Sequence, residues 1–395
     1  MMFKRAKTEV LGPPDWILLF TTLAIAAMGL MMVYSSTSDL AYREFDGDAA
    51  YFFKRQLLWL GIGFVAMMIA IRVPYHYWTK VSIPIMAVTL ILLGLLVVFG
   101  QRLLLARSVS PVELAKLAVV IYIGHWLSTK SEVLTKLPYG LLPFTIMIGV
   151  IVGLVMVQKP PDISEAMVIV VIAVVMFFMA GAHMLQFAIG MLGGGAAFVF
   201  VVSRISHAQE RLGLWQQAQD PLHSGNEQFA QGLLALGSGG FLGAGPGSGR
   251  AKFQWLPAAH TDSIFAVVGE ELGLVGCLVL IGLFVLLAYR GYRIASQAPD
   301  AFGRNMAMGV TTWITFQALV NMAVVTGVIP YTGITLPFIS VGGSSLGACM
   351  VGIGIVLSIS RAVNAEGATS HEARRVGGRD GGTRVSRPDR HQSPA

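Results

Sequence analysis

The chain has 395 residues, of which 55% are hydrophobic and only 12% are charged. A soluble protein of this length carries about twice that share of charged residues, so this composition, with a mean hydropathy of +0.68, excludes a soluble globular domain. Long apolar runs recur along most of the sequence, and each can cross a bilayer as a helix. The sequence therefore predicts an all-α polytopic membrane protein.

The net charge of +7 is concentrated at the two ends of the chain. Basic residues precede the first apolar run and recur in the Gly/Ser/Pro-rich tail: Lys4, Arg5, Lys7, Arg374, Arg375, Arg379, Arg384, Arg387 and Arg390. Positive charge beside apolar spans usually sets topology and contacts anionic membrane lipid, so no nucleic-acid partner is expected. Both cysteines, Cys277 and Cys349, fall inside predicted spans, where neither a disulfide nor a zinc site is expected.

At roughly 20 residues per span, the apolar runs predict about ten helices. They lie near 15–37, 56–74, 81–100, 111–128, 139–157, 162–181, 184–203, 263–289, 304–328 and 343–362. With residues 1–14 inside, seven basic residues fall in or beside cytoplasmic connections, as the positive-inside rule expects: Arg72, Lys80, Lys130, Lys136, Arg290, Arg293 and Arg304. The predicted organisation is a cytoplasmic N-terminus (1–14), a transmembrane domain (15–362) and a disordered basic cytoplasmic tail (363–395).

The outer segment over residues 204–262 is too long for a simple connector. Its basic residues and those of other outer connections have no role in topology, and they predict an anionic ligand such as phosphate. The alternative is that they are scattered charges that only contact solvent. They are Arg102, Arg107, Lys159, Arg204, Arg211, Arg250 and Lys252. The glycine run 237–249 lacks the preceding strand and the Lys-Ser/Thr of a P-loop. A flexible or re-entrant outer loop that lines a cavity is expected instead.

The segment Ser110-Pro-Val-Glu113 opens the fourth predicted span, and Lys116 follows on the same helical face as Glu113. Ser110 fits an N-cap, Pro111 the first helical position and Glu113 the acid of a capping box. Capping explains Glu113 but leaves Lys116 about one turn inside the apolar region. Charge at that depth usually marks a functional site.

Further acidic residues stand at the starts of later spans. Asp162 and Glu165 match a capping box at the sixth span, which competes with a functional interpretation. Asp262 stands where the long outer segment meets the eighth span, and it too could be a cap. Capping does not account for Glu270 and Glu271, which lie roughly 12 Å further along the helix at 1.5 Å per residue.

The stretch 327–345 is apolar but contains so many Gly and Pro residues that a regular helix is excluded. Backbone of this kind is tolerated at membrane depth only where protein surrounds it or where it lines a water-filled cavity. We therefore predict a re-entrant turn packed inside the helical bundle.

In combination these segments resemble the SEDS (FtsW/RodA/SpoVE) family of membrane peptidoglycan glycosyltransferases, over about residues 15–361. The resemblance is carried by Leu256-Pro-Ala-Ala-His-Thr-Asp262 through Glu270-Glu-Leu-Gly273, by Pro330-Tyr-Thr-Gly-Ile-Thr-Leu-Pro337 through Gly342-Gly-Ser-Ser345, and by Asp15, Val33-Tyr-Ser-Ser36, Gln317 and Asn321. It implies a ten-helix fold that polymerises lipid II into glycan strands during cell division or elongation and releases undecaprenyl diphosphate. It also implies a class B penicillin-binding protein partner, divisome or elongasome proteins, and a bacterial inner membrane location with both termini cytoplasmic.

The resemblance also implies roles for individual residues. Asp262 matches the position regarded as catalytic, and Glu113 and Lys116 match the polar pair on the fourth span. Asp162 matches the Pro-Asp that precedes the sixth. The set predicted to bind substrate is Lys116, Glu113, Arg102, Asp162, Arg211, His260 and Glu270.

Polymerisation of lipid II joins a sugar hydroxyl to an anomeric carbon and expels a lipid diphosphate. It needs a base for the hydroxyl proton and positive charge for the diphosphate. We assign the base to Asp262 at the outer membrane boundary, and we expect Lys116, oriented by Glu113, to organise the site or contact the diphosphate. No cofactor is certain, although Mg or Mn could serve the diphosphate. Attack from the opposite face would invert the anomeric centre.

Two other functions stay open at this stage. Polar groups in a ten-helix bundle could instead move a lipid-linked cell-wall precursor across the bilayer, as a transporter (flippase) does. A flippase needs a pathway open to both sides, whereas the polar groups here cluster at the outer ends of spans. The chain could also be a non-catalytic scaffold for a penicillin-binding protein, an interpretation that the presence of Asp262 disfavours.

Overall fold

The computed structural model describes residues 12–100, 110–130, 134, 136, 139–158, 161–218, 227–250 and 260–377. Within some helices the backbone alone is described, at 197–198, 201–202, 206–208, 217–218, 227–229 and 367–377. These ranges contain no strand and twelve helices: α1 (Trp16–Glu44), α2 (Tyr51–Arg72), α3 (Tyr77–Phe99), α4 (Pro111–Thr129), α5 (Leu141–Met156), α6 (Ile163–Met179), α7 (Met184–Val202), α8 (Ser206–Ala218), α9 (Glu227–Ser238), α10 (Ile264–Gln297), α11 (Ala301–Val325) and α12 (Gly343–Gly377).

Ten of these helices coincide with the spans predicted from the sequence. Within the described residues, seven are long and apolar enough to cross a membrane: α1 to α4 and α10 to α12. The apolar parts of α5, α6 and α7 are shorter. The prediction of an all-α polytopic membrane protein is confirmed.

Two regions differ from the prediction. The segment 204–262, expected to be a loop, carries α8 and α9 within its described part. Gln, Glu, Arg, Leu and Ala, all good helix formers, dominate the sequence of α8. At the other end of the chain, α12 continues past residue 362 to Gly377, because no proline interrupts it. Residues 378–395 of the predicted tail lie outside the described residues.

Polar residues and a proline explain where several helices begin. The side chain of Asp15 accepts the N–H of Leu18 at 3.0 Å at the start of α1. Asp300 accepts the N–H of Gly303 at 2.8 Å at the start of α11. Pro111 opens α4, where a missing N–H leaves nothing unsatisfied. These residues fix helix ends to within a residue at both ends of the bundle.

Helices α4, α6 and α11 form the enclosed centre of the molecule, and small residues let them approach closely. A Cβ on Gly309 of α11 would overlap Met176 of α6 and Val120 of α4. Close packing of this kind is how membrane helices associate without a hydrophobic driving force between them. On the periphery, α3 and α5 expose large apolar side chains such as Ile83 and Leu142, as surfaces that face lipid do.

The two ends of the bundle differ in character. At one end Arg290 of α10 pairs with Asp15, whose backbone N–H donates to Ser360 of α12 at 3.0 Å. At the other end Ser164 of α6 donates to the backbone carbonyl of Thr332. The first end also carries the basic residues of the predicted cytoplasmic connections. The second end gathers the starts of α4, α6 and α10 around the non-helical stretch 327–342.

Candidate active site

Lys116 lies at the centre of a buried polar cluster between α4, α6 and α11. Its Nζ atom is 2.7 Å from Glu113 Oε2 and 2.8 Å from Glu165 Oε2. A third acceptor, Gln317 Oε1, lies 2.8 Å from the same nitrogen. The contact with Gln317 is a hydrogen bond and the two carboxylate contacts are ion pairs, and the Lys116 side chain is 0% exposed. This geometry fits an organising role for Lys116, while direct contact with a diphosphate stays a prediction.

Trp313 and Gln317 of α11 extend this cluster. The indole Nε1 of Trp313 donates to Gln317 Oε1 at 2.9 Å. The centroid of the indole ring is 5.6 Å from Lys116 Nζ, within the range of a cation–π contact. The amide of Gln317 donates in turn to the carbonyl of Thr335 at 3.1 Å. The cluster therefore ties α4, α6 and α11 to the stretch 327–342.

The capping interpretation of these glutamates is only partly realised. Ser110 is the N-cap of α4, but its side chain makes no capping hydrogen bond, and the Glu113 carboxylate turns to Lys116 instead. At α6, Asp162 does accept the N–H of Glu165 at 3.2 Å. The Glu165 side chain nevertheless points to Lys116. Two glutamates from first helical turns thus converge on one ammonium.

Asp262 lies at the same end of the bundle, just before α10. The N-cap of α10 is Ser263, so the interpretation of Asp262 as a simple cap is wrong. Its Oδ2 accepts the hydroxyl of Tyr331 at 2.8 Å, and its backbone carbonyl accepts the amide of Asn321 at 2.8 Å. The carboxylate lies beside Gly333, where a Cβ would be 3.5 Å from Oδ2. Asp262 is therefore held by α11 and by the stretch 327–342.

The stretch 327–342 is non-helical, as predicted, but it ends before the predicted residue 345 because α12 begins at Gly343. Residues 336–340 are buried, whereas residues 327–333 are partly or fully exposed. Ser340 Oγ donates to the carbonyl of Thr261 at 2.6 Å and accepts the N–H of Leu336 at 2.8 Å. The N–H of Val341 donates to the carbonyl of His260 at 3.0 Å. These bonds fasten the residues before Asp262 to a part of the chain about 80 positions away.

His260, predicted to bind substrate, is half-buried beside α2. Its ring centroid lies 5.9 Å from that of Phe52. Burial lowers the pKa of His260, although the charge of Glu44 acts in the opposite direction. The imidazole is therefore neutral near pH 7. The backbone carbonyl of His260, not its ring, makes the bond to Val341 that holds the chain before Asp262. Binding of His260 to substrate stays a prediction.

Arg211 of α8 brings positive charge over the site. Its guanidinium carbon lies 5.9 Å from the centroid of the Tyr331 ring, and Nη1 donates to the carbonyl of Thr332 at 3.4 Å. Burial raises the pKa of Asp262 to about 6, against the lowering effects of the Tyr331 hydroxyl and the Arg211 charge. Burial likewise raises the pKa of Asp162 to about 6. Both carboxyls therefore titrate close to neutral pH, where acid–base groups work best.

Glu270 and Glu271 hold the glycine-rich segment, residues 237–250, against the bundle. Glu271 accepts the hydroxyl of Ser35 of α1 through both oxygens, at 2.6 and 2.7 Å, and the N–H of Gly247 at 2.9 Å. Glu270 Oε1 accepts the N–H of Arg250 at 2.6 Å. These buried carboxylates therefore accept hydrogen bonds from backbone N–H groups of the segment. The predicted role of Glu270 in substrate binding is untested.

A break in α10 receives the same segment. Gly273 has φ of +67°, which interrupts the helix, and a Cβ there would overlap the backbone of Gly243 and Phe241. The N–H of Leu274 donates across the break to the carbonyl of Gly240 at 2.9 Å. Glycine is needed here for both the dihedral angle and the close approach. The described glycine segment thus packs on α10 over part of its length.

Some predicted features fall outside the described residues. They are the basic residues Arg102, Arg107, Lys159 and Lys252, and the Leu256-Pro-Ala-Ala part of the motif before Asp262. Among the described residues, no three His, Cys, Asp or Glu side chains stand together in a group that could hold a metal ion. Glu113 and Glu165 face Lys116, whose ammonium occupies the position that a cation would take between them.

Sequence reasoning did not assign specific contacts to Tyr331, Ser35 or Trp313. Each is a polar or aromatic residue within an apolar stretch, and its partner lies far away in sequence. A tyrosine amid Gly and Pro in the stretch 327–337 was the available signal, because a buried phenol normally finds a hydrogen-bond partner. Only the three-dimensional structure identifies that partner as Asp262.

Comparison with known proteins identifies relatives that match nearly the whole chain. The family model FTSW_RODA_SPOVE, described as "Cell cycle protein", matches residues 15–365. The "Probable peptidoglycan glycosyltransferase FtsW" of Trichlorobacter lovleyi is 37% identical over 375 residues, covering 91% of this chain and 96% of the relative. The "Stage V sporulation protein E" of Bacillus subtilis is 38% identical over 363 residues, covering 88% and 97%.

Solved structures share the fold. One, described as "Structural coordination of polymerization and crosslinking by a peptidoglycan synthase complex", has a TM-score of 0.69 at 25% identity and covers 89% of this chain and 98% of its own. The rod shape determining protein RodA of Thermus thermophilus has a TM-score of 0.63 at 26% identity, covering 88% and 97%. The chain belongs to the FtsW/RodA/SpoVE family.

Proposed function

We propose that the chain is a peptidoglycan glycosyltransferase that polymerises lipid II into glycan strands and releases undecaprenyl diphosphate. Family membership gives the reaction class. The observation that carries the proposal is the placement of Asp262: a carboxyl with a raised pKa, beside a buried ion cluster, where the non-helical stretch meets the starts of three apolar helices.

Asp262 acts as the general base. A hydroxyl of one lipid-linked saccharide attacks the anomeric carbon of another, and the bond between that carbon and the diphosphate oxygen breaks. The hydroxyl proton passes to Asp262, and the bonding electrons leave with the lipid diphosphate. Attack opposite the leaving group inverts the anomeric centre. A base of this kind contributes about 10²–10⁴-fold to the rate.

The Lys116 cluster positions this base. Glu113 and Glu165 balance the ammonium, and Gln317 connects it to the stretch 327–342 that holds Asp262. Arg211 stands nearer the rim and is exposed. Its guanidinium can therefore meet a diphosphate through paired hydrogen bonds, and with Asp162 it forms the edge of the site.

The site faces the outer side of a bacterial inner membrane. Positive residues flank the opposite end of the bundle, including Arg72, Arg290 and Arg304, and this bias supports a cytoplasmic location for that end. Both termini are then cytoplasmic. A lipid-linked saccharide displayed on the outer leaflet would reach Asp262 at the membrane boundary.

A class B penicillin-binding protein is the proposed partner, because it would crosslink the glycan strands that this chain makes. One structural relative is described as part of a peptidoglycan synthase complex that coordinates polymerization and crosslinking. Division and elongation roles are both compatible with this partner. Co-purification from membranes of the native host would identify it.

The assay that tests the function uses purified protein in detergent with labelled lipid II, with and without a co-purified penicillin-binding protein. Detergent removes the two compartments that a flippase needs, so glycan strands can form only by polymerisation. We expect strands of many disaccharides, with one lipid diphosphate released for each glycosidic bond formed. Binding of lipid II without any strand formation, with the partner present, would contradict the proposal.

The core beneath the cluster argues against transport. A lipid carrier needs a polar route to the cytoplasmic end, but below Lys116 the helices close tightly. Gly309 meets Val120 and Met176 without space for a side chain, and Gly124 approaches Met306. Apolar close packing of this kind gives a saccharide no hydrogen-bond partners.

A further inference from the structure

Tyr331 is the one side chain among the described residues that donates a hydrogen bond to the Asp262 carboxylate. Its hydroxyl lies 2.8 Å from Oδ2. An ionised carboxylate can only accept hydrogen bonds, and it does so through two oxygens. The phenol hydroxyl binds Oδ2, which leaves Oδ1 available to accept from another donor.

Neighbouring residues hold both the Tyr331 ring and the backbone that follows it. The guanidinium of Arg211 lies over its face, 5.9 Å from the centroid. The next peptide is bound twice, since the carbonyl of Thr332 accepts from Ser164 of α6 and from Arg211. Two residues further on, the carbonyl of Ile334 accepts the amide of Asn321 at 2.7 Å. A hydroxyl on a frame this constrained can hold Asp262 in one orientation.

We propose that Tyr331 is a positioning residue for the base: its hydroxyl orients the Asp262 carboxylate and keeps it in the ionised form that accepts the proton. This inference rests on the proposed function of Asp262. It concerns a residue outside the set predicted from the sequence, and it deepens the mechanism by explaining how a buried carboxyl stays able to work as a base.

The charged groups around Asp262 set the direction of the effect. Burial raises its pKa to about 6; the Tyr331 hydroxyl and the charge of Arg211 on α8 lower it, whereas Glu165 and Asp162 on α6 raise it. A base must be ionised, so kcat/KM should rise with pH through about 6. Loss of the Tyr331 hydroxyl removes a lowering effect. The acid limb of the profile must then move to higher pH.

The test compares Tyr331→Phe with the parent protein in the detergent polymerisation assay between pH 5 and pH 9. Phenylalanine keeps the ring under Arg211 and removes only the hydroxyl. We expect the acid limb to move up by about one pH unit, with kcat falling less than about tenfold at the alkaline plateau and KM unchanged. An unmoved acid limb, or an equal loss of rate at every pH, would overturn the inference.

A matched control is Tyr292→Phe. It also removes one hydroxyl hydrogen bond, to Thr312 at 3.1 Å, but toward the opposite end of the bundle, and its profile should stay in place. If Tyr331→Phe proves unstable, 3-fluorotyrosine at position 331 supplies a stronger donor in the native geometry. The acid limb should then move to lower pH, and a limb that stays put contradicts the inference.

Failure of this inference differs from failure of the proposed function. If Asp262→Asn is inactive while Tyr331→Phe has an unmoved acid limb, Asp262 keeps its role and only the positioning role of Tyr331 is lost. If Asp262→Asn remains active, the base itself is misassigned. The two variants therefore separate the two claims.

Discussion

Removal of Lys116 tests the buried ion cluster most severely. Lys116→Met keeps the length and apolar stem of the side chain and deletes its charge. Glu113 and Glu165, each within 2.8 Å of the ammonium, would then face each other without a cation, and Gln317 would lose a donor. Because the side chain is fully enclosed, we expect both activity and stability to fall.

The size of the effect follows from burial. Breaking a buried pair by removing one partner typically destabilises by about 3–5 kcal/mol, because a charge is left uncompensated. For a chain of this size, about 2 °C of melting temperature is lost per kcal/mol. We therefore expect Lys116→Met to melt about 6–10 °C below the parent protein.

The assay is thermal unfolding in detergent, paired with polymerisation per folded molecule. The decisive control is the triple variant Lys116→Met, Glu113→Gln and Glu165→Gln, which removes all three charges. The triple variant leaves no uncompensated buried charge, although its buried amides lose partners, so it should regain part of the lost melting temperature yet stay inactive. A single variant as stable as the parent would refute the buried-charge argument, and an active triple variant would refute a catalytic role for the cluster.

Two further outcomes follow from the glycine segment and the break in α10. Glu271→Gln should destabilise the protein by about 2–3 kcal/mol and should speed protease cleavage within residues 239–250. Asp39→Asn loses only an exposed pair with Arg43, so it should change the stability by less than about 1 kcal/mol. Equal effects of the two substitutions would contradict the role of Glu271 in holding the glycine-rich segment. Gly273→Ala should destabilise by more than about 2 kcal/mol, because of its positive φ and backbone overlap. Gly94→Ala is the matched helical control, because no atom lies within 4 Å of the added Cβ. It should be neutral or slightly stabilising in thermal unfolding. If Gly273→Ala melts at the same temperature as Gly94→Ala, the break in α10 is not required.

Local chemistry was sufficient to predict the helices and several of their ends. Apolar runs of span length predicted ten helices that the described residues contain, seven of them long enough to cross a membrane, and Pro111 and Asp162 marked the starts of α4 and α6. Gly and Pro placed the non-helical stretch 327–342. Each of these follows from a residue and its near neighbours. The α8 and α9 helices were missed because glycine and proline elsewhere in the segment 204–262 dominated the interpretation.

The partners of the site residues could not be predicted in the same way. The i, i+3 spacing paired Glu113 with Lys116 on one face of α4, but only the packing of α4 against α6 brings Glu165 to the same ammonium. Glu271 meets a hydroxyl from α1, 236 positions away. Such contacts depend on which helices adjoin and how they are rotated, and a sequence pattern records neither.

The rate of glycan synthesis by Asp262→Asn, measured with labelled lipid II at matched concentrations of folded protein, tests the central claim most directly. Asparagine keeps the size of the side chain and can still accept the Tyr331 hydroxyl, but it cannot take up a proton. We expect an unchanged melting temperature and a rate at least about 100-fold below that of the parent. Glycan synthesis at near-parental rate by the folded variant would contradict the assignment of Asp262 as the base.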